Sequence, residues 1–160
     1  MEELLRLLEK NSRLSNKDLA NLLNEDEDAV CEKITQLEKD KIIAGYHTII
    51  NWDKTDTEIS KAIIFVNCVP QREKGYDEIA SRIAKYDEVI DLTLVSGKAE
   101  FMLQVKGKNM REISNFLARK LAPTEGVTGT ETMFVLKEYK LDSMSLEKDG
   151  DDSERLIVTP

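Results

Sequence analysis

The chain has 160 residues, of which 41% are hydrophobic and 34% charged, and its formal net charge at pH 7 is −8. This composition is typical of a folded globular protein with one large domain or two small ones, and it excludes a wholly disordered chain. No apolar run reaches the roughly 18 residues of a membrane span, and the opening MEELLRLLEKN is charged where a signal peptide is apolar, so we expect a cytoplasmic protein without a membrane partner.

The first 45 residues have the spacing of three successive helices. Ser15 precedes the second helix and Asp18 lies three residues further on, which is a capping-box-like start. About three residues separate the second helix from the third, for which Asp26 is a suitable N-cap. So tight a turn between two short helices indicates a helix-turn-helix domain over residues 1 to 45, although the pattern alone leaves a plain three-helix bundle equally open.

The third predicted helix buries one face and exposes an acidic one. Val30, Ile34 and Leu37 fall at helical spacing, and the helix is preceded by four consecutive acids, Glu25 to Asp28. Residues 1 to 51 contain 11 acidic and 7 basic residues. This excess of acid is the reverse of the basic surface expected of a DNA-binding domain, and it predicts weak, unusual or lost DNA binding.

Residues 46 to 60 are predicted to connect two domains. The segment YHTIINW, which follows Gly45, has the composition of a strand that leads out of the helical region. The next eight residues, DKTDTEIS, are polar and are the expected linker.

From Lys61 the pattern changes to that of alternating strands and helices. Strands are predicted at 62–69, 89–95, 100–105 and 127–140, and helices at 75–86 and 109–121. In the second strand, Ile90, Leu92 and Leu94 are expected to share one face. The order βαββαβ predicts a ferredoxin-like domain over residues 61 to 140, in which both helices cover one face of a four-stranded antiparallel sheet. The fold class is therefore α+β.

The other face of this sheet is also expected to be covered. The segments from Ala62 to Val66 and from Met133 to Leu136 are apolar without a break, whereas strands with one solvated face alternate. A second copy of the chain is the simplest cover, which predicts a homodimer formed sheet on sheet. Periodicity does not decide whether Ile63 or Ile64 faces the partner.

The remaining features give no sign of catalysis or of a cofactor. Cys31 and Cys68 lack CxxC spacing and His47 is the only histidine, so we expect two buried or half-buried thiols and no metal site. No nucleophile with an adjacent base and no phosphate-binding loop is found, so no catalytic residue is assigned and no enzyme is predicted. Residues 141 to 160 are predicted to be an acidic, solvated tail. Alternatively, its LIV segment docks on a neighbour as an extra strand.

Three segments, in this order, resemble the Lrp/AsnC family of transcription regulators, also called feast/famine regulators. They are LSNKDLANLL (14–23), ITQLEKDKIIAGY (34–46) and GVTGTETMFVLKEYK (126–140), and the resemblance spans about residues 1 to 140. The family implies a helix-turn-helix that binds double-stranded DNA. We assign DNA contacts to the start of the second helix and the outer side of the third, namely Ser15, Asn16, Lys17, Asp28, Ala29, Glu32, Lys33 and Gln36.

The resemblance also implies a dimer, commonly assembled into an octamer, and a C-terminal domain that senses an amino acid or related metabolite. Family members use the turn between the second and third strands near the effector, where this chain has Ser96, Gly97, Lys98 and Glu100 in place of a GxYD-like phrase. We add the hydroxyls of the last strand, Thr128, Thr130 and Thr132, because alternate strand residues share one face. A lysine and a carboxylate can pair with the two charges of an amino acid. The alternative is an ordinary hairpin turn beside ordinary strand-forming threonines.

Two functions from different classes remain open at this point. The first is a ligand-responsive transcription regulator, and the second is a metabolite-binding or assembly module whose helix-turn-helix no longer binds DNA. Salt-dependent retention on duplex DNA separates them, because phosphate contacts give a steep salt dependence and an acidic surface gives none.

Overall fold

The computed structural model of the chain describes residues 1–70 and 75–147. The chain divides into two compact units, Met1–Thr48 and Ile49–Pro160, which we call the helical unit and the sheet unit. Among the described residues, no helix has both the length and the apolar character that crossing a membrane would require.

The helical unit consists of three helices, α1 (Glu2–Lys10), α2 (Asn16–Leu23) and α3 (Glu27–Lys39). One leucine-rich core joins them, and its fully buried members include Leu4, Leu19 and Val30. Asn24 ends α2 in the left-handed conformation, which Asn tolerates better than most residues, and the chain turns from there into α3. Three helices with a short turn between α2 and α3 were predicted from the leucine spacing and the capping residues.

The sheet unit is a four-stranded antiparallel sheet with the strand order β2-β3-β1-β4. Its elements are β1 (Ser60–Cys68), α4 (Asp77–Ile83), β2 (Val89–Leu94), β3 (Phe101–Gly107), α5 (Met110–Phe116), β4 (Val127–Phe134), and the short strands β5 (Lys140–Leu141) and β6 (Met144–Ser145). A single π-helical turn, Leu117–Leu121, continues α5. Asn109 caps α5 by accepting a hydrogen bond from the backbone N–H of Glu112, as its sequence predicted.

The two faces of the sheet differ in burial. Alternate residues of β1 (Ala62, Ile64 and Val66) are fully buried, and they form one core with apolar residues of α4, β3 and α5. The intervening residues point to the opposite face, which carries no helix of the described chain. Its apolar members, which we call the open face, are only half-buried or exposed: Ile63, Phe65, Met102 and Met133.

The structure corrects the sequence-based prediction of the linker and of β2. The strand predicted for residues 46–52 is absent, since this segment pairs with no strand of the described chain. It ends in a short 3₁₀ turn, Trp52–Lys54. In β2 the register with β3 shifts between Val89 and Asp91. This bulge sends Val89 and Leu92 to the core and leaves Ile90 exposed, so the predicted shared face is wrong for Ile90, while Leu92 and Leu94 do share one face opposite Leu103 and Phe101.

Several boundaries and one cysteine also differ from the prediction. The first helix of the sheet unit is shorter than residues 75–86, and β4 ends at Phe134 instead of residue 140. Cys68 is buried, but Cys31 is exposed because it lies on the outer side of α3, directly after the buried Val30.

The end of the described chain folds back on the start of the sheet unit. β5 and β6 form a hairpin that begins at the last residue of the predicted strand and continues into the segment predicted to be a solvated tail, of which 148–160 lie outside the described residues. The side-chain Nδ2 of Asn51 donates a hydrogen bond of 2.7 Å to the carbonyl oxygen of Leu146. This contact joins the segment that precedes β1 to the hairpin that follows β4.

Candidate functional site

The predicted DNA-contacting residues lie around α2 and α3 with different degrees of exposure. Exposed members are Ser15, Lys17, Asp28, Glu32 and Gln36, and half-buried members are Asn16, Ala29 and Lys33. All eight lie in the helical unit, so the chain does present these side chains near one helix pair. Their own contacts decide what each can offer to a ligand.

Ser15 is engaged in capping α2. Its Oγ accepts a hydrogen bond of 3.1 Å from the N–H of Asp18, and the Asp18 carboxylate accepts hydrogen bonds from the Ser15 hydroxyl and N–H. The hydrogen bonds from Ser15 lower the pKa of Asp18 below its usual value, so this capping box is charged at neutral pH. The hydroxyl of Ser15 therefore already donates one hydrogen bond and accepts another within the cap of α2.

Two polar side chains assigned to α3, Lys33 and Gln36, are also engaged within the chain. Lys33 Nζ lies 2.6 Å from Oε1 of Glu25, in the turn before α3. Gln36 Nε2 donates a hydrogen bond of 2.8 Å to Oδ1 of Asp40, one turn further on. The remaining exposed carboxylates, Glu32 among them, give the outer side of α3 an acidic surface.

Sequence reasoning missed two residues on this surface. Cys31 and Thr35 are exposed and lie at helical spacing with Asp28 and Glu32. The Thr35 hydroxyl donates a 2.9 Å hydrogen bond to the carbonyl oxygen of Cys31, one turn earlier. The helical spacing of the exposed positions was sufficient to find both of them, but neither was among the residues assigned to DNA.

The predicted effector turn lies at one end of the sheet. The N–H of Val95 donates to the Glu100 carbonyl (2.8 Å), and the N–H of Glu100 donates to the Val66 carbonyl (3.1 Å). The Glu100 carboxylate accepts a 2.9 Å hydrogen bond from the backbone N–H of Cys68, the last residue of β1. Glu100 thus helps to close the end of β1, whereas Ser96, Gly97 and Lys98 are exposed.

The threonines of β4 are brought to the same end of the sheet, but on the other side of β1. Thr130 pairs with Val66 and Thr132 with Ile64, so both side chains share the helix-covered face with those buried residues. Thr128 is exposed beside the register shift at the end of β1. The Oγ1 atom of Thr132 is buried and has no hydrogen-bond partner among the described residues.

The thiol of Cys68 sits between the turn and β4. Burial raises its pKa above the usual value, and the negative charge of Glu100 adds to the effect. Cys68 is therefore an unreactive thiol at neutral pH. In the described ranges, no group of three or more His, Cys, Asp or Glu side chains is placed to hold a metal ion.

Comparison with known proteins places this fold in a family. The sequence model of the Lrp/AsnC ligand-binding domain matches residues 61–144. The uncharacterised HTH-type transcriptional regulator YugG of Bacillus subtilis is 36% identical over 159 residues, which cover 99% of this chain and 95% of that protein. The chain belongs to the Lrp/AsnC family. The resemblance inferred from three sequence segments is thereby confirmed.

Other Lrp/AsnC relatives agree with this assignment. The leucine-responsive regulatory protein of Haemophilus influenzae is 27% identical over 86% of this chain and 82% of its own length. The crystal structure of the transcriptional regulator NMB0573 of Neisseria meningitidis, in complex with L-Met, superposes with a TM-score of 0.67 at 26% identity, covering 86% of this chain and 88% of that one. The leucine response regulatory protein LrpA of Mycobacterium tuberculosis superposes at 0.73 and 22% identity, covering 90% and 95% of the two chains, and so shares the fold.

Membership of the Lrp/AsnC family settles the broad predictions. The α+β class with a ferredoxin-like domain is confirmed, and so is the prediction of a ligand-responsive transcription regulator of the Lrp/AsnC type. The Lrp/AsnC relatives are transcription regulators and not enzymes.

Proposed function

We propose that this regulator binds double-stranded DNA through α2 and α3 of its helical unit, and an amino acid through the end of its sheet unit, in the cytoplasm. The observation that carries the first half is the local geometry of the helical unit: a capped α2, a turn of about three residues and an α3 whose outer side is exposed along its length. This is the arrangement in which a second helix enters a major groove.

The amino-acid class of effector is supported by one relative and by the local chemistry. The regulator of Neisseria meningitidis that is 26% identical to this chain was crystallised with L-Met. Lys98 offers an exposed ammonium at the end of the sheet, and Thr128 an exposed hydroxyl. The carboxylate of Glu100 and the hydroxyls of Thr130 and Thr132 contribute less directly, because they are half-buried and Glu100 already binds backbone.

A homodimer is the assembly that the open face favours, and an octamer built from such dimers is the higher order implied by the family. Ile63, Phe65, Met102 and Met133 form an apolar strip on the side of the sheet without helices. A second copy that packs the same strip against it would remove these side chains from water and would be self-complementary by a two-fold axis.

The second candidate is a metabolite-binding or assembly module that no longer binds DNA. A specific observation favours it: α3 presents exposed carboxylates, and its central lysine is paired with Glu25. An acidic surface of this kind repels phosphates, so the two candidates predict opposite behaviour on DNA.

Measuring the affinity for a random-sequence duplex across a salt series tests the proposed DNA binding. We expect log K to fall linearly with log salt, with a slope of about 0.9 for each phosphate contact. Lys17→Ala, on α2, is expected to reduce that slope by about 0.9 per bound protomer, because it removes one exposed cation. The matched control is Lys85→Ala, which removes an exposed cation from the sheet unit and should leave the slope unchanged. Absence of salt-dependent binding by the wild type would favour the second candidate.

The effector proposal is tested by thermal unfolding with each of the twenty amino acids. A true ligand at about 100 times its dissociation constant should stabilise the wild type by roughly 2.7 kcal/mol. Gly97→Asp should abolish the shift, because it places a carboxylate in open space in the turn and also strains a backbone whose φ of +157° residues with a side chain rarely adopt. Gly45→Asp adds the same carboxylate in equally open space in the helical unit, at a glycine without a positive φ, and it should retain the shift. Equal loss in both variants, or no shift with any amino acid, would contradict this site.

A further inference from the structure

The ion pair between Glu25 and Lys33 spans the turn at the start of α3. Lys33 Nζ lies 2.6 Å from Oε1 and 2.5 Å from Oε2 of Glu25, so one ammonium is bound by both carboxylate oxygens. Both side chains remain about one-third exposed, at 36% and 33%. The pair is therefore open to solvent and to a competing ligand, and it is not part of the helical core.

Lys33 lies near the middle of α3, on the flank of its packed side: it is half-buried, three residues after the buried Val30 and four before the buried Leu37. The helix contains only two lysines, Lys33 near its middle and Lys39 at its last residue, together with four carboxylates. An ammonium is a compact point charge that binds anionic oxygens of carboxylate or phosphate alike. The two carboxylate oxygens of Glu25 therefore bind the Lys33 ammonium through the same kind of charged hydrogen bond that phosphate oxygens make.

We infer that Glu25 is an internal phosphate mimic, which masks Lys33 and makes one potential DNA contact of α3 depend on displacing it. This inference rests on the proposed DNA binding by α2 and α3. Glu25 is a positioning residue, since it acts through Lys33 and need not touch DNA itself. Its consequence is a lower affinity and a shallower salt dependence than the same fold would have with Lys33 free.

Simple repulsion by Glu25, or a purely structural ion pair, would give different results from masking. If Glu25 only repels DNA as a negative charge, then any nearby carboxylate has the same effect. Glu27 is the matched comparison, because it is exposed on the first turn of the same helix and makes no ion pair among the described residues. If the pair only holds the turn between α2 and α3, then its loss alters thermal stability and leaves the salt slope unchanged.

The test compares full-length wild type, Glu25→Gln, Glu27→Gln and the double variant Glu25→Gln with Lys33→Ala on a random-sequence duplex. Freeing Lys33 should add about 0.9 to the salt slope per protomer, which means that affinity falls about 3.5-fold more between 50 and 200 mM salt. Glu27→Gln should raise affinity without changing the slope, and the double variant should return to the wild-type slope. Equal slopes in the two single variants would overturn the inference while leaving the proposed DNA binding intact.

A second measurement does not depend on DNA. Acetylation of surface amines, followed by mass spectrometry, reports the access of each lysine to reagent, and Lys39, which is exposed and makes no ion pair in the described chain, is the internal reference. Lys33 should react more slowly than Lys39 in the wild type and in Glu27→Gln, and at a similar rate to Lys39 in Glu25→Gln. Unchanged reactivity of Lys33 in Glu25→Gln would overturn the masking. Loss of masking without duplex binding by any variant would refute the proposed function, and with it the assigned role of Lys33.

Discussion

Ile64→Lys is expected to unfold the sheet unit, whereas Ile63→Lys is expected to leave it folded and to prevent dimer formation. Ile64 is fully buried against the helices, so an ammonium there loses its hydration without gaining a partner, at a cost of about 3 kcal/mol or more. Ile63 is half-buried on the open face, where a lysine can extend into water in a monomer and must be buried only when a second copy docks.

Sedimentation and thermal unfolding of the two full-length variants measure these effects separately. We expect Ile63→Lys to sediment as a folded monomer, and Ile64→Lys to show only the unfolding transition of the helical unit or to aggregate. Ile63→Val is the control for the loss of the side chain's shape, and it should remain dimeric. If both variants were folded dimers, the proposed interface would be contradicted. If both had an unfolded sheet unit, the open face would be needed for folding itself and not only for dimer formation.

Gly126→Ala is expected to destabilise the sheet unit by about 2 to 4 kcal/mol. Gly126 has a φ of +92°, which residues with a side chain rarely adopt, and a Cβ there would lie 2.7 Å from Cδ1 of Ile79. Ile79 is itself almost completely buried on α4, so it has little room to move away. Strain and overpacking therefore add at this position.

The matched control for Gly126→Ala lies three residues further on, within β4. A Cβ at Gly129 would make an ordinary contact of 3.6 Å with Nδ2 of Asn67, so Gly129→Ala should change stability by about 1 kcal/mol or less. In thermal unfolding, Gly126→Ala should lower the transition of the sheet unit by about 10 °C or more. A similar small shift in both variants would show that Ile79 moves aside and that the backbone relaxes.

The fold was predictable because its elements differ in period. Leucines at helical spacing with Ser15 and Asp26 as caps identified the helical unit, and the switch to alternating strands and helices after Lys61 gave the order of the ferredoxin-like domain. The prediction that failed concerns strand pairing. The register shift after Val89 is set by the neighbouring strand β3, and the spacing of apolar residues in β2 does not reveal it. Similarly, the continuous apolar run of β1 could not show whether Ile63 or Ile64 faces the core, because only alternation of apolar and polar residues distinguishes the two faces of a strand.

The sequence predicted candidate site residues by type and position, but it did not show which of their side chains are already engaged within the chain. Lys33 was assigned to DNA from its position on α3, yet its partner Glu25 is eight residues away and outside the helix, so no spacing rule within α3 links them. Glu100 was assigned to an effector from its place in a turn, and only the structure shows its carboxylate on the N–H of Cys68, 32 residues away in sequence. Contacts of this kind arise from tertiary packing, which a single sequence does not encode locally.

The central position of β1 has a consequence for how the chain folds during synthesis. β1 is hydrogen-bonded to β3 on one side and to β4 on the other, and its residue Ala62 pairs with Phe134, 72 positions later. The core of the helical unit lies between Leu4 and Ile43 and can form early in synthesis, whereas β1 gains its β3 partner only after Gly107 has been made and its β4 partner only after Phe134. Until β4 has been made, the apolar strand β1 keeps at least one unpaired edge, which exposes it to aggregation in the nascent chain.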